Sequence, residues 1–158
     1  MTQNEEILKE LRRCGEDTIY SAKGHYKSID YSKSRIMFAV LLCIFGDLLG
    51  LTGFLKSSIG TSVNLIEVFL GICILLWEKN EGQNYCQGHR KYGDEFLNLH
   101  NEIRAKYKTE HITQKDLNDL LEKKRKLIRA TDRPHISIVP RFWAKYSIEK
   151  FGEVTVWW

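Results

Sequence analysis

Proline is almost missing from this chain of 158 residues: Pro134 and Pro140 are the only two. Ahead of Pro134, therefore, no missing N–H and no ring clash forces a break in a helix. Cysteine is sparse as well. Cys14, Cys43, Cys73 and Cys86 show neither metal-knuckle nor redox-motif spacing, which argues for free thiols in a reducing compartment. A hydrolase triad, a phosphate-binding glycine loop, HExxH and a dinucleotide fingerprint are all lacking. No catalytic residue, no cofactor and no metal site is expected, and the chain does not read as an enzyme. No fixed-period repeat and no low-complexity segment is present.

What the chain does have is apolar sequence gathered in one place. The mean hydropathy is negative, at -0.34, yet residues 36–55 and 59–77 are two largely apolar runs. Each is about long enough to cross a hydrocarbon core of about 30 Å as a helix, the state that satisfies its own backbone in lipid. The expectation is an all-α membrane protein: an antiparallel two-span transmembrane helical hairpin with long cytoplasmic helical extensions and a small C-terminal helical part. The first apolar run begins too late to be an ordinary cleaved signal peptide. Lys23, Lys27, Lys33 and Arg35 precede the first run, Lys79, Arg90 and Lys91 follow the second, and Lys56 alone sits in the connector. That bias predicts that both termini are cytoplasmic.

Four segments follow: an amphipathic helix over 1–35, the hairpin over 36–77, cytoplasmic helices over 78–130 and a tail over 131–158. In the first, Ile7, Leu8, Leu11, Cys14, Ile19, Ala22, Tyr26 and Ile29 recur at three-to-four spacing and make one apolar face. After the hairpin, Tyr85, His89, Tyr92, Phe96, Leu99, Ile103 and Tyr107 form a coiled-coil-like seam that should pack on that face. Thr113 and Asp116 resemble a helix start, although a capping box prefers Glu or Gln at the second position. Leu117, Leu120, Leu121, Leu127 and Ile128 should line one side of a helix over 114–130, ended by Asp132-Arg133-Pro134. Residues 136–139 could be extended, Pro140 should break the chain again, and 141–150 could be a short helix. The last five residues look strand-like.

Three constellations stand out. Asp47 and Glu67 lie at equal distances from a turn near Ser57 and Ser58, each roughly 15 Å along its helix. They are candidate pore-lining acids, or else protonated and hydrogen-bonded within the bundle. Gly46, Gly50 and Gly53, in the same run as Asp47, would let a neighbouring helix approach, within the hairpin or at a subunit contact. Next, Gly24-His25 and Gly88-His89 should also lie level. The glycines would let the two helices approach with the histidines adjacent, either as packing residues or as a pH- or metal-responsive pair with Cys86 nearby. Last, Lys123, Lys124, Arg125 and Lys126 form a basic run, read as a solvated face or as a contact for lipid headgroups or a nucleotide phosphate.

The stretch Tyr20-Ser21-Ala22-Lys23-Gly24-His25-Tyr26, the double apolar run, Trp77-Glu78-Lys79-Asn80-Glu81, Gly88-His89-Arg90-Lys91-Tyr92 and Phe96-Leu97-Asn98-Leu99 together resemble the SLATT family. These are bacterial two-span effector domains found beside SMODS-type nucleotidyltransferases and SLOG sensors. The resemblance covers about residues 5–130. It implies an effector of the bacterial inner (cytoplasmic) membrane, in an anti-phage or other conflict system, that homo-oligomerises into a pore when triggered, with a nucleotide second messenger or a sensor protein as the candidate trigger. Its expected partners are the lipid bilayer and copies of itself, not nucleic acid. The alternative is a non-conducting membrane adaptor that recruits a soluble partner through its cytoplasmic helices and tail.

Overall fold

The computed structural model describes residues 3–51, 57–77, 82–109 and 112–151. Over these residues the chain is all-α, with no strand. Its helices are α1 (Gln3–Leu51), α2 (Ser57–Trp77), α3 (Gln83–Lys108), α4 (Gln114–Arg129) and α5 (Ile138–Phe151). Two compact units result. One comprises Met1–Ile29 and Gln87–Trp158, the other Asp30–Cys86.

The first unit is held by the apolar spacing of α1 and α3. Ile7, Leu11 and Cys14 of α1 and Leu99 and Ile103 of α3 form one core with Ile112 and with Leu117 and Leu120 of α4. The expected seam residues His89, Tyr92 and Phe96 are buried as well. α4 starts as its sequence predicts. The Thr113 hydroxyl accepts from the Asp116 N–H, and the Asp116 carboxylate accepts from the Thr113 N–H at 3.1 Å, so the box closes with Asp in place of Glu. The Thr113 hydroxyl and Lys106 hold the Asp116 carboxyl well below the usual carboxylate range. Thr113→Ala removes an acceptor at the helix N-terminus and should cost about 1 kcal/mol, read as a lower urea midpoint at unchanged slope.

Pro140 does not break the chain. α5 begins two residues before it, at Ile138, because a proline in the first turn lacks only an N–H that would have no helical partner there. The extended stretch expected over 136–139 is accordingly cut short. α2 is already helical from Ser57, so the connector expected over 56–61 is helix from that residue on. Gly53, Lys56, Lys79 and the strand-like last five residues lie outside the described residues.

The membrane expectation is corrected. Among the described residues, no helix is long and apolar enough to cross a membrane. The apolar stretches of α1 and α2 each carry a carboxyl group, Asp47 and Glu67, which a hydrocarbon environment penalises. The two-span hairpin, the inner-membrane localisation and the transmembrane description fall with it.

Candidate functional site

In the first unit, α1 and α3 bring His25 and His89 together as their matched positions predict. The two Nδ1 atoms lie 2.9 Å apart, with both side chains fully buried. A bond between two ring nitrogens needs one N–H and one lone pair, so the neutral rings hold complementary tautomers. The His25 ring also stacks on Phe96 and Tyr92, with centroids 5.8 and 5.9 Å away. Burial, then the charges of His89 and Arg133, push His25 down to about 3. Burial pushes His89 down to about 4. Both rings are therefore neutral near pH 7. The His25 Nε2 atom is buried without a hydrogen-bond partner.

The paired glycines serve a different neighbour from the one expected. A Cβ at Gly24 would meet Ile136 Cδ1 at 3.0 Å, and one at Gly88 would meet Pro134 Cγ at 3.6 Å. The segment between α4 and α5 thus seats in both glycine notches. Asp132 anchors it: its carboxylate accepts from the Tyr92 hydroxyl and, at 2.9 Å, from Lys91 Nζ. The close approach of the two long helices occurs instead at Gly93, where a Cβ would meet the Tyr26 ring at 3.0 Å. The Tyr26 hydroxyl donates to Asp94 at 2.6 Å, and burial with that carboxylate raises its pKa to about 12.

Sequence reasoning missed a third buried histidine. His100 Nδ1 lies 2.8 Å from the Gly15 carbonyl oxygen, 85 positions away in the chain, and burial lowers its pKa. Its place in the α3 pattern, four residues after Phe96, was the available signal. Burial also raises the Cys14 thiol, which leaves it a poor nucleophile. Among the described residues, no cluster of three or more His, Cys, Asp or Glu could hold a metal ion.

The basic run is occupied with internal pairs. Lys123 reaches Glu102 and Lys124 reaches Asp17, both at 2.5 Å, and Arg125 lies 3.7 Å from Glu122. Lys126 lines a mixed-charge groove with Asp119 and Glu122. Such a surface offers an anion little net attraction.

In the second unit, Asp47 and Glu67 also meet. A hydrogen bond joins the two carboxyl groups, and desolvation, that bond and the Asp47 charge raise the Glu67 pKa. The Glu67 carboxyl sits over Gly46, where a Cβ would come within 1.5 Å of Oε1. The pore role expected of these acids depended on the two spans and is dropped with them.

No family model, no curated protein and no solved structure matches the chain.

Proposed function

We propose that the chain is a non-catalytic helical effector of a bacterial conflict system that acts by assembling with copies of itself through its second unit. One observation carries the reading. Met37, Phe38 and Phe45 of α1 are 60–65% exposed, and Leu65 and Phe69 of α2 are 68% and 65% exposed. Val40, Leu41, Ile44, Val68 and Ile72 are exposed beside them. Monomers rarely leave contiguous apolar patches beyond a few hundred Å², and larger ones mark interaction sites. The SLATT-like positions His25 and His89 support the effector assignment, since they form a real contact between α1 and α3. In this reading the first unit is a folded platform and the second is the assembling element.

Light scattering on the eluting full chain should give a mass of several protomers. Combining Phe38→Lys, Phe45→Lys and Phe69→Lys should return a monomer with unchanged helix content. Expression together with a SMODS-type nucleotidyltransferase should arrest growth for the wild-type chain and not for the same variant. A monomeric wild-type chain overturns the proposal, and so does one recovered only with detergent.

A further inference from the structure

The second unit also contains a groove that is not uniformly apolar. A cavity of about 270 Å³ lies between α1 and α2, with Ser32 and Arg35 on one wall and Trp77 on the other. Ala39, Leu70 and Ile74 line this cavity and also a second one of about 290 Å³, which reaches as far as Glu67. The two form one trough, about 12 Å long at the helical rise from Arg35 to Cys43. Its floor is hydrocarbon, and Arg35 is the one cation among its described lining residues. The Arg35 guanidinium lies 5.8 Å over the Tyr31 ring, a contact that restrains it.

We propose that this trough binds a single-chain carboxylate amphiphile, such as a free fatty acid. The carboxylate would bond Arg35 and Ser32 while the chain lies along Ala39, Leu70 and Ile74. Charge complementarity selects this occupant. One guanidinium fork matches one monoanionic carboxylate in bidentate geometry, whereas a dianionic phosphate would call for a second cation. The trough is a single inter-helix gap, which suits one acyl chain. At its far end the hydrogen-bonded Glu67–Asp47 carboxyl pair offers no cation to a second anionic head, so dicarboxylates are disfavoured. A pocket that is mostly apolar with a few convergent polar groups at one end is the usual form of a small-molecule site. The proposal goes beyond self-assembly and does not depend on it, because every residue it uses belongs to one chain.

The test is calorimetric titration of the full chain with dodecanoate below its micelle concentration, beside dodecanol and dodecyltrimethylammonium. Dodecanoate should bind at least about tenfold more tightly than the ammonium amphiphile. Arg35→Gln should weaken dodecanoate about tenfold, the loss of one charge-assisted contact, and leave dodecanol unchanged. Ala39→Trp, which fills the trough where its two halves meet, should abolish binding of all three. Equal affinity for acid and ammonium overturns the proposal, as does an Arg35→Gln chain that keeps its full affinity for dodecanoate. These readouts do not involve protomer number, so their failure is distinct from a failure of the assembly reading.

Discussion

Phe96→Ala should destabilise the first unit by about 3–5 kcal/mol, a large share of the stability of a small domain. The ring is fully buried and stacks on His25, so truncation costs both the transfer of the lost atoms and the cavity left behind. Phe142→Ala is the internal control. Phe142 is 63% exposed, and its loss should change stability by less than about 0.5 kcal/mol. Urea denaturation of both variants would show the Phe96 midpoint falling at unchanged slope, because the unfolded surface is nearly the same. A loss below about 1 kcal/mol for Phe96→Ala would mean that the His25 face is not packed as the structure has it. The void would also adjoin the unpartnered His25 Nε2. Water admitted there would ease the desolvation that keeps the ring neutral, so the variant should titrate His25 at higher pH.

Much of the first unit was legible because its determinants are local and periodic. The α1 spacing from Ile7 to Ile29 and the α3 seam from His89 to Ile103 each follow one helix face, and both faces are buried. Thr113 and Asp116 sit three residues apart, the interval a cap requires. His25 opposite His89 and Asp47 opposite Glu67 followed from treating two helices as antiparallel neighbours, and both pairs meet. What stayed hidden is non-local and aperiodic. Nothing in the sequence of Asp132 says that it will cap Tyr92 and Lys91, about 40 positions earlier. Nothing near Gly24 or Gly88 says that Ile136 and Pro134 will fill the space beside them. The membrane expectation failed for a related reason. An apolar run reports that its side chains avoid water, but its periodicity does not say what covers them.

The histidine pair makes stability fall in acid, and the direction follows from its geometry. The 2.9 Å contact between the two Nδ1 atoms uses the single lone pair that one ring offers to the other's N–H. A proton on that lone pair removes the bond, sets two N–H groups against each other and places a cation beside His89 and Arg133, whose charges oppose it. The folded chain therefore resists protonation that the unfolded chain accepts at the ordinary histidine value of 6.5, with His25 held down to about 3 and His89 to about 4. Their contribution is complete above about pH 6.5 and is lost as the pH falls toward 4 and below, on the order of 1–3 kcal/mol per pH unit. His100 adds to the loss in the same direction. The depressed carboxyls of Asp116 and Asp132 act in a lower window, below their ordinary value of 3.8, so the two effects separate on the pH axis. Denaturation midpoints measured from about pH 7 to pH 3 should fall steadily in the wild-type chain. His25→Leu with His89→Leu should flatten the upper part of that curve and keep the lower part, since replacing both members of a buried pair by apolar groups of similar volume leaves no orphaned partner. A wild-type curve that is flat between about pH 6.5 and pH 4.5, or a double variant as steep as wild type there, would show that the two rings do not share the buried contact.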